Sequence, residues 1–313
     1  FTIGAGLSLL QTASNPYISI LGPIESAAQR IAFMGICNKV AGALAPIAFG
    51  VLIMTGIDSL QDKVANTAVG PARDALLNDF AARVFMPYMV MAAILVVLAI
   101  WIVLSSLPEI KPSGANSERA IGHQSGGIFS FPHLWLGVLC LFLYVGVEVM
   151  AGDAINTYGQ GFGLPLTQTS HFTTFTMFAM LTGYVVGLLI IPRFISQQRY
   201  LAVSAVMGIV FAFGAYVTHG LPSVAFVAAL GFANAMMWPA IFPLAIKGLG
   251  SHTELGSAFL IMGIVGGALI PQVFVHLKEY VNFQLAFLVV IVPCYFYILY
   301  YGVRGHNVGN HAV

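Results

Sequence analysis

Residues 34–46 read MGICNKVAGALAP, and residues 262–271 read MGIVGGALIP. Removing three residues from the first stretch brings Met-Gly-Ile, Gly-Ala-Leu and the proline into register with the second. The likeness continues upstream. Asn15-Pro16 pairs with Trp238-Pro239 at an offset of 223, and the same offset pairs Gln11 with Asn234. Polar and proline positions that agree at nearly one offset mark an internal repeat, a common signature of secondary transporters.

Composition says where such a repeat resides. Of the 313 residues, 59% are hydrophobic and only 7% are charged, with a mean hydropathy of +0.91. A soluble domain carries about 25% charged residues, so this chain lacks the polar surface to coat a water-facing globule. Soluble enzymes, nucleic-acid binders and disordered linkers are excluded. Lys and Arg total 12 against 11 Asp and Glu, a net charge of +1 with no bulk field for polyanions. Cys37, Cys140 and Cys294 lie in apolar stretches without metal-ligand spacing and read as small core residues.

A membrane-crossing helix needs about 20 mostly apolar residues. Uncharged stretches of that order cover 1–24, 84–107, 173–192, 200–218, 220–246, 255–275 and 280–303. Two more spans carry charge: 31–57 contains Lys39, and 132–158 contains Glu148 and Asp153. The expectation is an all-α polytopic membrane protein with nine helices, since no run shows the short alternation of a barrel strand. Residues 58–83 read as a mixed-charge loop, and 108–131 as a Pro-, Gly- and Ser-rich linker.

Basic residues orient the spans. Alternate loops hold Arg30, Lys111, Arg119, Arg193, Arg199, Lys247 and Arg304; the opposite set holds Lys63, Arg73, Arg83 and Lys278, three of them in the one long loop. The first set is expected to be cytoplasmic, with the C-terminus inside. The repeat makes the first two helices of the chain the counterparts of its seventh and eighth. The repeating unit is then six helices, and 108–131 joins two units. Residues 132–313 hold a full C-terminal six-helix bundle, whereas residues 1–107 hold only the last three helices of an N-terminal one. Three helices are expected to precede Phe1, so that nine of twelve are present.

Six plus six helices with a cytoplasmic central loop is the plan of the major facilitator superfamily. LLQTASNPYISILGP followed by AAQRIAFMGICNKVAGALAP resembles the fourth and fifth helices of the fucose:proton symporter family, and most closely the bacterial glucose/galactose transporters within it. YVGVEVMAGDAINTYG (144–159) and MMWPAIFPLAIKGLG (236–250) resemble that family's seventh and tenth helices. The resemblance implies a two-bundle fold and cation-coupled hexose uptake (glucose or galactose, or else fucose) by alternating access. It implies no bound cofactor, and a multi-pass, monomeric protein of the bacterial inner membrane whose partners are a sugar, a coupling ion and the lipid bilayer. The fucose symporters place a protonatable Glu in the fourth helix, where this chain has Gln11, and a protonatable Asp in the first. Proton and sodium therefore both stand open as the coupling ion.

The polar residues inside the spans are the site candidates. Gln11 and Asn15 are four residues apart, about 40° around one helix face. Their amides suit vicinal sugar hydroxyls, and helix-to-helix bonding is the competing reading. Asn38 matches, through the resemblance, a sugar-contacting Asn of the fucose symporters. Lys39 beside it either snorkels to the inner interface or finds a partner. Asn234 and Trp238 again stand four apart, an amide and an indole that can bind and stack on a sugar ring. Carboxylates inside a span usually line a pathway or relay ions, which makes Glu148 and Asp153 the ion-coupling candidates. They lie about 140° apart around their helix and do not share a face. Pro239 and Pro243 are expected to kink their helix near a cavity. An intramembrane enzyme is disfavoured, because HExxH and Gly-x-Ser-x-Gly are absent and Asp153 has no partner aspartate in a matching span. A channel or flippase, and a transporter of another solute such as a drug, nucleoside or organic acid, are the alternatives.

Overall fold

The computed structural model describes residues 2–53, 63–64, 66–106, 127–165, 169 and 171–309, and these residues are almost entirely helical. Helices α1 (Thr2–Ile20) and α2 (Ala27–Ile53) precede the long α3 (Pro71–Leu104). Next come α4 (Pro132–Gly152), α5 (Ala154–Gln160), α6 (Phe172–Ile190) and α7 (Gln197–Val217). Then follow α8 (Leu221–Asn234), α9 (Met237–Ile246), α10 (Thr253–Met262), α11 (Gly266–Leu277) and α12 (Phe283–Val303). Seven helical spans among the described residues are long and apolar enough to cross a membrane: α3, α4, α6, α7, α8 with α9, α10 with α11, and α12. Helices α1 and α2 fall at the two remaining expected positions.

Three expected spans are broken helices. One breaks at Asp153, between α4 and α5, and one at Ala235–Met236, between α8 and α9. The third passes through a 3-10 turn, Gly263–Val265, between α10 and α11. For α8 and α9 the cause is local. Pro239 has no N–H to give the Ala235 carbonyl, and Pro243 has none for Pro239, so the ladder fails one turn before each ring.

The expected loop at 58–83 needs correction. Its first part, 58–62, lies outside the described residues, but helix α3 already begins at Pro71. Proline suits the first helical position, Asp74 complements the first turn, and Asp79 pairs with Arg83 at 3.7 Å across one turn. At 1.5 Å per residue its 34 residues reach about 51 Å, well beyond a ~30 Å hydrocarbon layer. The charge at its start belongs to helix that projects beyond the apolar zone. Of the expected linker 108–131, residues 108–126 lie outside the described residues, and 128–130 form a 3-10 turn.

The chain divides into two compact units, residues 1–39 with 110–313, and residues 40–109. The second unit consists of the later part of α2 and α3. In the first, α4 is the central helix and packs on α9, α11 and α12, while α7 packs on α8 and α12. Leu134, Gly137, Leu141 and Tyr144 recur at helical spacing on the buried face of α4. Close approach depends on glycine. A Cβ at Gly266 would run into the Phe142 carbonyl of α4, and one at Gly208 would come 2.5 Å from the Tyr295 ring.

The turn from α1 to α2 is held by one residue. Arg30 donates to the carbonyls of Ile18 (2.9 Å), Ser19 (2.7 Å), Gly22 (3.2 Å) and Pro23 (3.1 Å), and to Ser26 Oγ (2.7 Å). The end of α1 leaves carbonyls without helical donors, and a guanidinium with five N–H groups satisfies them together. Beyond this turn, Ala28 and Ala32 of α2 pack with Met180 and Tyr184 of α6 and with Ala235 and Met236 at the α8–α9 break.

Candidate functional site

The first unit brings one ion pair into the helical bundle. Lys39 Nζ on α2 donates to Glu148 Oε1 on α4 at 2.9 Å, with the two side chains 22% and 20% exposed. What positions Lys39 is the approach of α2 to α6 one turn earlier. Gly35 leaves room for the Tyr184 ring, which a Cβ there would meet at 2.7 Å. Glu148 stands on α4 four residues after Tyr144, whose ring is fully buried. Tyr144 leads to Trp238, with ring centroids 6.5 Å apart, and Trp238 stacks on Phe242 at 6.2 Å. The helix break at Ala235–Met236 turns Trp238 toward this cluster. The result is a cluster of one cation, one carboxylate, a phenol and a half-buried indole.

The other expected residues separate into two groups. Gln11 and Asn15 of α1 do share a face, and the side-chain oxygen of each is buried without a partner. Asn15 Nδ2 donates back to the Gln11 carbonyl at 3.0 Å, and Ser19 Oγ to the Asn15 carbonyl at 2.8 Å. These are two acceptors at hand for hydroxyl donors. Asn38 is exposed, next to Lys39.

Asn234 has its amide engaged. It is fully buried, accepts from the Tyr295 hydroxyl at 2.8 Å and donates to the Val147 carbonyl at 3.5 Å, joining α8 to α12 and α4. Asp153 is exposed at the break between α4 and α5. Beside that break, Asn156 Nδ2 donates to Thr173 Oγ1 (3.1 Å), which donates to the freed Gly152 carbonyl (2.8 Å). Thr176 Oγ1 donates to the Ala151 carbonyl in the same way (2.9 Å). These bonds satisfy the carbonyls next to the break.

Sequence reading missed Tyr144, Tyr184 and Tyr295. For Tyr144 a signal existed, because it precedes Glu148 by one helical turn. Tyr184 and Tyr295 come from helices whose facing is a matter of packing alone. Among the described residues no cluster of three His, Cys, Asp or Glu side chains could hold a metal ion.

The chain is 33% identical over 309 residues to the glucose/galactose transporter of Brucella abortus, covering 97% of this chain and 70% of that protein. The chain belongs to the glucose/galactose transporter family of the major facilitator superfamily. It is a multi-pass membrane transporter and not an enzyme. The L-fucose-proton symporter of Escherichia coli K12 is 27% identical over 279 residues, 87% of this chain and 63% of that one. A crystal structure of the E. coli fucose:proton symporter superposes with a TM-score of 0.82 at 24% identity, covering 96% of this chain and 74% of that chain. At that identity the superposition speaks for the fold. No family model matches the chain.

Proposed function

We propose that this transporter takes up a hexose of the glucose/galactose type by proton symport across a bacterial inner membrane. The observation that carries the reading is the Lys39–Glu148 ion pair, one helical turn from Tyr144, whose ring meets Trp238. An ion pair inside a helical span is expensive to maintain and is normally found where ions or substrates pass. An indole flanked by polar groups suits a sugar ring, whose C–H face stacks while its hydroxyls bond. The relatives named for glucose, galactose and fucose support the substrate class, and the proton symporter among them supports the ion.

The geometry supports a coupling step. With Glu148 ionised, its carboxylate accepts from Lys39 and holds α2 against α4. A proton arriving on Glu148 removes the carboxylate's charge, so the pair loses its Coulombic attraction and the two helices can part. Asp153, exposed at the helix break one and a half turns further on, is the carboxylate by which the proton enters. Gln11, Asn15, Asn38 and Trp238 form the sugar site in this reading, with Asn234 holding the helix that carries Trp238.

The same reading takes α1 and α2 as two further spans, so that residues 1–107 and 132–313 belong to two bundles joined by a cytoplasmic linker. The distribution of basic residues supports a cytoplasmic C-terminus, and a monomer in the lipid bilayer is sufficient for the mechanism. Uptake of labelled hexose into vesicles is the direct test. Saturable accumulation abolished by an uncoupler is expected. Accumulation that survives the uncoupler and stops on sodium removal would move the coupling ion to sodium, and absence of hexose uptake would overturn the substrate.

A further inference from the structure

A cavity of about 330 Å³ lies at the end of the bundle where α1 turns into α2. Its walls include Glu25 of the α1–α2 turn, Ser196 and Gln197 at the start of α7, Lys247 after α9, and His306 after α12. The volume falls in the ~300–1,000 Å³ range of small-molecule sites. Gln197 is only 5% exposed and its Oε1 has no partner; Ser196 Oγ is buried and unpartnered as well. Buried polar atoms are nearly always bonded, so two unpartnered oxygens on neighbouring residues that line one cavity indicate partners missing there.

The cavity wall has a definite chemistry. Ser196 is the N-cap of the 21-residue α7, yet its hydroxyl makes no capping bond. The N–H groups of the first turn have no helical acceptor, and a helix N-terminus favours an anion. Lys247 supplies the full positive charge. Its backbone is fixed by His133, whose Nε2–H donates to the Lys247 carbonyl at 2.9 Å. The remaining groups ask for hydroxyl donors. Gln197 Oε1 and the Glu25 carboxylate are acceptors. The His306 Nδ1–H is committed to the Tyr301 carbonyl at 3.0 Å, which leaves Nε2 of the neutral ring an acceptor.

An anion pole beside three hydroxyl acceptors matches a phosphorylated polyol. We propose that this cavity is a binding site for a sugar phosphate, the phosphate on the α7 N-terminus and Lys247, the hydroxyls on Gln197, His306 and Glu25. A ligand there touches both the α1–α2 turn and the helices of the C-terminal bundle, so it holds them together and slows transport. With the orientation proposed above, the site faces the cytoplasm, and the phosphorylated form of an imported sugar restrains its own import. That last step rests on the proposed function; the binding site does not.

Purified transporter is tested with radiolabelled hexose 6-phosphate by equilibrium binding. Saturable binding is expected, undiminished by excess free hexose and weakened at least tenfold in Lys247→Gln but not in Lys247→Arg. Inorganic phosphate at equal concentration should compete at least tenfold less well. Where Lys247→Gln does not fold, Gln197→Glu places a negative charge at the same point and should weaken binding equally. Absence of binding, binding that both variants retain, or displacement by free hexose overturns the site. Equal competition by inorganic phosphate overturns the polyol half. Hexose binding by the same preparation is measured separately, so failure of the sugar-transport reading is distinguished from failure of this one.

Discussion

Lys39 Nζ lies 2.9 Å from Glu148 Oε1, and this contact ties α2 to α4, the central helix of the first unit. Each partner makes the other tolerable. Removing one member of a buried pair costs about 3–5 kcal/mol because the survivor is left uncompensated. Here both side chains keep roughly a fifth of their exposure, which places the cost at the low end of that range. Lys39→Ala should therefore destabilise more than the double variant Lys39→Ala with Glu148→Gln. Thermal melts of the three purified proteins check this, and equal losses in the single and double variants would remove the pairing.

The coupling role makes a separate demand. Glu148→Gln cannot exchange a proton, so it should abolish accumulation against a gradient while leaving equilibrative hexose exchange within a few-fold of normal. Both are read from counterflow and uphill uptake in the same vesicles. Normal accumulation in this variant would place the coupling proton elsewhere.

Sugar binding should divide the polar residues. Losing an acceptor or donor in a buried site costs about 1–3 kcal/mol, roughly tenfold to a hundredfold in affinity. Gln11→Ala and Trp238→Ala are expected to weaken hexose binding on that scale and the exposed Asn38→Ala by less, with Trp238→Phe milder than Trp238→Ala because a stacking face survives. Unchanged affinity in all three alanine variants would make them helix-packing residues.

Asn234 gives the complementary prediction. Tyr295→Phe leaves the buried Asn234 Oδ1 without its 2.8 Å donor, so thermal stability should fall by about 1–3 kcal/mol. Hexose affinity should change little. A large affinity loss at unchanged stability would give Asn234 a direct part in sugar binding.

His306 sets a pH dependence. Burial is the main cause that pushes its imidazole below the ordinary histidine range, opposed by its bond to the Tyr301 carbonyl. The unfolded chain then takes up a proton before the folded one does. The contribution is fully present above about pH 6.5 and declines as pH falls through the unfolded value. Melting temperature should drop between pH 7 and 5 more steeply in the parent than in His306→Gln.

Sequence alone carried the broad fold, because it depends on quantities summed along the chain. Apolar length located the spans, and Pro239 announced the break before α9. It failed at the start of α3, where Arg73, Asp79 and Arg83 read as loop. A charge signals water but not backbone conformation, and a helix that projects past the membrane satisfies both.

Spacing on one helix decides which residues share that helix's face, and on this ground the chain by itself determined the Gln11–Asn15 pair. Which face meets which neighbour depends on close packing between segments distant in sequence. That needed the tertiary structure, because a glycine at 35 or 266 has meaning only beside Tyr184 or Phe142. Packing alone joined Lys39 to Glu148 across 109 residues and engaged the amide of Asn234. It also left Gln197 Oε1 without a partner on a residue that lines a cavity. In an apolar chain with few charges, the sequence fixes how many polar groups must find partners, and only the packed helices choose the partners.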